Sequence, residues 1–187
     1  MRYEAGCVKH VGVTDGSNSD DGVVRRVAGG YELRFERFYK APIEDVWALL
    51  TEPDRIEEWL GVADVELQLG GRFRLLEVGG QGIAGVILTL EPPRVLEYTW
   101  DSAQWTGGTV RYELSEQDRG TRLVFTHVHP LKSWELFRYK SLAGWHTLLD
   151  LLALAVEGRP ESWHMERWRS HHDRYLALGG LDRAPAE

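Results

Sequence analysis

SWELFRYKSLAGWHTLLDLLALAVEG, residues 133–158, decides the fold. Leu142, Trp145, Leu148, Leu149, Leu152 and Val156 recur at helical spacing, which predicts one long helix. Leu151 and Leu154 add apolar groups on a second face, and a helix apolar nearly all round is a buried one. Gly158 followed by Pro160 is a stop signal. Gly144 interrupts the pattern, so a bend or a close backbone approach is expected there. At 1.5 Å per residue, Leu136 to Val156 spans roughly 30 Å. Such a rod needs a broad apolar surface to lie on.

The sequence from Val62 to His129 supplies that surface. It reads as six short strands punctuated by Leu69-Gly70-Gly71, Gly79-Gly80, Pro92-Pro93, the Asp101–Gly107 loop and Gln117–Gly120. Their parity is clear. Leu96, Tyr98 and Trp100 share a face, as do Val110, Tyr112 and Leu114, and again Leu123, Phe125 and His127. Glu97, Arg111, Glu113 and Arg122 take the opposite face. A sheet apolar on one side, followed by an apolar helix, predicts an α+β fold with the helix laid across the concave side.

Upstream, Val23–Val27 and Tyr31–Tyr39 flank Ala28-Gly29-Gly30 and read as a hairpin, its glycines supplying the positive φ of the turn. Pro42, Glu44 and Asp45 open a short helix that buries Val46, Trp47, Leu49 and Leu50. Pro53 opens a second, with Ile56, Trp59 and Leu60 facing inward. Residues 1–21 lack periodicity and read as a flexible tail. After Pro160, an amphipathic helix is expected over Glu161–Leu178, with Met165, Trp168, His172, Tyr175 and Leu176 on one face, and 181–187 as a tail. The domain reading is therefore a tail over 1–21, one domain over 22–158, a helix over 159–180 that covers the domain or a partner, and a second tail.

The chain has 187 residues and a net charge of −7, an acidic balance that argues against a phosphate-backbone partner. One cysteine, Cys7, excludes an intrachain disulfide and points to a reducing, cytoplasmic setting. No apolar run is long enough to span a bilayer, and the N-terminus carries no signal-peptide pattern. Eight Trp, seven Tyr and five Phe provide bulky walls for a core, an interface or an apolar pocket.

The order strand, two short helices, six strands, long helix resembles the START-like (SRPBCC) superfamily with its helix-grip fold, a curved sheet of six to seven strands. RFERFYKAPIEDVWALLTEPDRIEEWLG (34–61), GGRFRL (70–75), EPPRVLEYTW (91–100), GTRLVFTH (120–127) and GWHTLLDLLA (144–153) are similar to the branch named for the activator of the heat-shock-protein-90 ATPase. The last helix is similar to an extension of bacterial members. The resemblance implies a cavity between long helix and sheet, gated by the short helices. It places Trp59 at the mouth, Tyr98 and Trp100 on the sheet wall, and His127, Gly144 and Trp145 nearby. The candidate ligand-binding residues are Trp59, Tyr98, Trp100, Trp105, Tyr112, Phe125, His127, Trp145, His146 and Leu149.

The chemistry-bearing motifs are few. His127-Val128-His129 sets two imidazoles about 7 Å apart by strand rise, with His129 at a solvated rim before Pro130. Zinc would need a third ligand such as His146, and a satisfied structural histidine is the plainer reading, so neither metal nor cofactor is expected. His164, His171 and His172 read as a solvated helix face. No nucleophile elbow, P-loop or dinucleotide fingerprint is present, and Cys7 has no activating partner, so no catalytic residue is assigned. The expected function is binding of a hydrophobic small molecule, with no nucleic-acid or membrane partner and with room for a homodimer through the last helix. A polyketide-cyclase- or dehydratase-like enzyme, in which a cavity His or Tyr moves a proton and His127 and His146 converge, is one alternative. A chaperone-related interaction module with a collapsed cavity is another.

Overall fold

The computed structural model describes residues 20–78, 81–103 and 106–178, with backbone alone for 77, 78, 81 and 132–137. The expected tails therefore lie outside the described residues, except for Asp20 and Asp21.

The elements run β1 (Val23–Val27), β2 (Gly30–Tyr39), α1 (Ile43–Thr51), α2 (Pro53–Ile56), β3 (Ala63–Val65), β4 (Arg72–Val78), β5 (Gln81–Glu91), β6 (Val95–Trp100), β7 (Gly108–Gln117), β8 (Gly120–Pro130), α3 (Leu131–Val156) and α4 (Met165–Leu178). The strands form one antiparallel sheet in the order β1-β2-β8-β7-β6-β5-β4-β3. It has eight strands, not six or seven, because both arms of the first hairpin join it: β2 pairs with β8 along its whole length and β1 adds outside β2. The first strand of the meander shrinks to Ala63–Val65. Past Val65 the chain turns back on itself, with Glu66 bonding Arg72 and Gly71 bonding Gln68.

The parity holds. Leu96, Tyr98, Val110, Tyr112, Leu123, Phe125 and His127 are all buried. On the other face Arg111 donates to Glu97 and Glu113 at 2.9 Å each, while Arg122 pairs with Glu36 across to β2. Phe73 of β4 stacks on Tyr98 of β6, ring centroids 3.9 Å apart, reaching across β5 at Gly85, where a Cβ would stand 3.2 Å from the Tyr98 ring.

The long helix runs unbroken for 26 residues, about 39 Å. Leu142, Trp145, Leu149 and Leu152 are buried, and so are Leu151 and Ala155. Two neighbours explain why it is apolar nearly all round: it lies against β2 and β8, and α4 packs along it. Gly144 does not interrupt it, and no close approach occurs there, since an added Cβ would find nothing within 4 Å. Gly158, at φ +69°, follows the helix end.

The last helix begins at Met165, four residues later than expected. The extended segment before it lets Trp163 pack against the core. Its inner face is set by Trp168, His171, His172 and Tyr175, whereas Met165 and Leu176 are about half exposed. Among the described residues, no helix is long and apolar enough to cross a membrane.

Candidate functional site

Strands β6, β7 and β8 alternate in and out, so every second residue reaches the concave face. That geometry sets Tyr98, Trp100, Tyr112, Phe125 and His127 side by side, and α3 lowers Trp145 onto them. Trp145 lies 4.2 Å from Phe125 and 4.9 Å from Trp100, centroid to centroid; Tyr112 lies 5.1 Å from Phe125. Tyr98, Tyr112 and Phe125 are at most 1 % exposed. The rings touch one another, so side chains occupy the space between Trp145 and strands β6–β8 at this point. Two surface grooves, of about 470 and 340 Å³, lie elsewhere: one between the start of α1 and the β7–β8 turn, the other along β4 and β5 beside Asp101.

At the edge of this slab Trp145 Nε1 donates to His127 Nδ1 at 2.7 Å. Indole N–H is a donor only, so Nδ1 accepts and the neutral ring carries its proton on Nε2. Nε2 is buried and has no partner among the described residues. It faces Gly108, where an added Cβ would stand 3.2 Å away. Burial, and then the field of His129, hold the His127 pKa well below its ordinary value. His129 is not at a solvated rim. It is buried, its ring lies 3.8 Å from that of His127, and burial lowers its pKa to about 4. Side chains two apart on a strand have leaned together, closer than the 7 Å of strand rise.

His146 belongs to a different place. Successive helix residues point about 100° apart, so Trp145 faces the sheet wall while His146 faces β2 and α4. There His146 Nδ1 lies 2.8 Å from the Tyr175 hydroxyl, which also accepts from the Gly22 backbone N–H at 2.8 Å. Its ring stacks on His171, 3.8 Å apart and 13° from parallel, and His171 Nε2 bonds Asp150 at 2.9 Å. His171 is thus no part of a solvated face. Burial first, and then His171, lower the His146 pKa to about 4, against the pull of Asp150. The two imidazoles that the cyclase alternative needs to converge therefore bond to different neighbours.

The remaining candidates scatter. Trp59 is buried and donates to Leu49 O at 2.8 Å, tying the end of α2 to α1, with no ring contact to the slab among the described residues. Leu149 is buried under α3. Trp105 lies outside the described residues. Asp150, His171, Tyr175 and Arg37 were missed. The signal was in the spacing: His146 with Asp150, and His171 with Tyr175, are i, i+4 pairs on two helices. Arg37 sits at an inward position of β2, over Phe35, with its Nη2 buried and unpartnered among the described residues.

The sequence pattern of the family described as activator of Hsp90 ATPase homolog 1-like proteins matches residues 40–157. The chain belongs to this family. Its fold is that of the START-like superfamily, with the long helix gripped by the sheet. CalU16 from Micromonospora echinospora is 26 % identical, over 84 % of this chain and 94 % of that one, with a TM-score of 0.66. The protein encoded by gene BPP1335 from Bordetella parapertussis is 28 % identical, over 88 % and 94 %, at 0.62. EF2215 from Enterococcus faecalis, a conserved protein of unknown function, shares the fold at 24 % identity, over 89 % and 95 %, with a TM-score of 0.71. No curated protein matches the chain.

Proposed function

We propose that this family member binds an apolar, aromatic small molecule between α3 and the sheet, held against the slab formed by Tyr98, Trp100, Tyr112, Phe125 and Trp145. The observation that carries the reading is the His127 Nε2–H, buried beside that slab with no acceptor among the described residues. A buried donor without a partner costs about 1–3 kcal/mol, and a ligand carbonyl or hydroxyl oxygen at Nε2 would recover it. The family membership supports the same reading, since this is a ligand-binding fold. Apolar burial at about 25 cal/mol per Å² provides the affinity, and His127 provides the orientation. The rings touch one another, so the ligand enters by displacing side chains rather than filling a preformed void. In this reading the chain binds without turnover, and its ligand comes from solution.

Tryptophan fluorescence and thermal shift against a library of apolar and aromatic compounds test it. The expected result is saturable quenching by one compound class. His127→Phe should weaken ligands that bear an oxygen acceptor about tenfold and leave hydrocarbon ligands unchanged. A library with no saturable binder would reject the reading.

A further inference from the structure

His146 and Asp150 project from one face of α3, four residues apart, and His171 of α4 projects toward them. The three offer ligand atoms that all lie within 4.8 Å of one another, from two helices packed along their length. We propose that His146, Asp150 and His171 form a binding site for a divalent transition-metal ion of the zinc type, separate from the aromatic slab.

The donor set is two imidazoles and one carboxylate, which suits zinc and its neighbours rather than calcium or magnesium. A tetrahedral ion about 2.0–2.1 Å from each ligand needs ligand atoms about 3.3 Å apart. Asp150 Oδ1 lies 3.8 Å from His146 Nε2, and Asp150 Oδ2 lies 2.9 Å from His171 Nε2, which brackets that spacing. The Tyr175 hydroxyl engages His146 Nδ1, so Nε2 is the atom left to coordinate, and the ring is oriented through its far nitrogen as metal-bound histidines commonly are. In the metal-bound form the neutral His146 ring carries its proton on Nδ1, donated to the Tyr175 oxygen, and its lone pair on Nε2, and the stacked His171 ring turns so that its Nε2 lone pair converges on the same point. His171 is the more exposed imidazole of the pair, with 17 % of its side chain open, and takes that movement. Three protein ligands leave a fourth position for water or an exogenous donor. The other charges whose fields reach His146 are Asp21, which is held by Arg174, and Arg37, which opposes the ion; the single Asp150 carboxylate therefore matters most.

The test is a titration of the full chain, stripped with chelator and dialysed, with Zn²⁺ by calorimetry and with Co²⁺ by visible absorption. One Zn²⁺ per chain is expected, with intense Co²⁺ bands of four-coordinate geometry. Asp150→Asn and His171→Ala should each weaken Zn²⁺ at least tenfold with the circular dichroism unchanged, while His164→Ala should leave it unaltered. Failure to bind, weak six-coordinate Co²⁺ bands, or affinity insensitive to both variants would overturn the site. Should a variant misfold, the Co²⁺ spectrum of the unaltered chain decides alone.

Discussion

Trp145 on α3 donates its indole N–H to Nδ1 of His127 on β8 over 2.7 Å, and this bond joins the long helix to the sheet beside the buried aromatic rings. It fixes the imidazole tautomer. Long-range ¹H–¹⁵N spectra at pH 7 should show His127 protonated on Nε2 alone, with the Trp145 indole proton protected from exchange. A proton on Nδ1 would contradict the arrangement. Trp145→Phe removes the donor, strands a buried acceptor and leaves a void beside Trp100. A loss of roughly 2–4 kcal/mol in urea denaturation is expected.

Acid should unfold the protein before its carboxylates titrate. His129 has a folded pKa of about 4 against an ordinary value of 6.5, because burial disfavours its charged form. The unfolded chain therefore takes up a proton below pH 6.5 that the folded chain refuses until about pH 4. Stability is flat above pH 7 and falls through that window, by about 3 kcal/mol from His129 alone. His127 and His146, lowered by burial first in the same way, steepen the fall. Glu36, held below its ordinary range against desolvation by Arg34 and Arg122, contributes at lower pH and so stays outside the upper half of the window. Urea midpoints at pH 7.5, 6 and 5 check this. His129→Gln should make the slope shallower without abolishing it, and an unchanged slope would assign it to the other two imidazoles.

Two glycines should respond to alanine with opposite signs. At Gly144 an added Cβ meets nothing within 4 Å in the middle of a continuous helix, so Gly144→Ala should stabilise by about 1 kcal/mol through helix propensity. At Gly108 the Cβ would stand 3.2 Å from both His127 Nε2 and the Trp100 carbonyl oxygen. Gly108→Ala should cost about 1–3 kcal/mol. Thermal melts of the two variants separate space from propensity.

The contrast between these glycines shows what a linear reading captures. Strand parity is periodic, so Leu96, Tyr98, Val110, Tyr112, Phe125 and His127 could be put on one face from spacing alone, and the buried helix followed from leucines at helical intervals. Gly144, read on the same logic as a bend or a close approach, makes no close approach, because only the neighbours of a glycine say whether its missing Cβ matters. His146 was grouped with His127 because both are polar residues on elements known to meet. The 100° step from Trp145 sends it instead toward α4, whose inner face includes His171 and Tyr175. Contacts between side chains on two helices depend on how the helices rotate against each other, and neither helix encodes that rotation by itself.

That second polar cluster also closes the two ends of the described chain onto each other. Tyr175 accepts the Gly22 N–H and bonds His146 Nδ1, and Arg174 grips Asp21 with two bonds of 2.8 and 2.6 Å. Tyr175 is 1 % exposed and Gly22 is buried, so loss of the hydroxyl strands two polar groups out of reach of water. Tyr175→Phe keeps the ring volume, and about 2–4 kcal/mol of destabilisation should follow. Arg174 is more exposed, so Arg174→Ala should cost about 1 kcal/mol or less. Because α4 meets the rest of the molecule largely through α3, the damage in Tyr175→Phe should be local. Amide exchange at Gly22 and along α4 is expected to accelerate while β7 and β8 keep their protection. Uniform acceleration across the sheet would mean that this junction is part of the global fold rather than a clasp upon it.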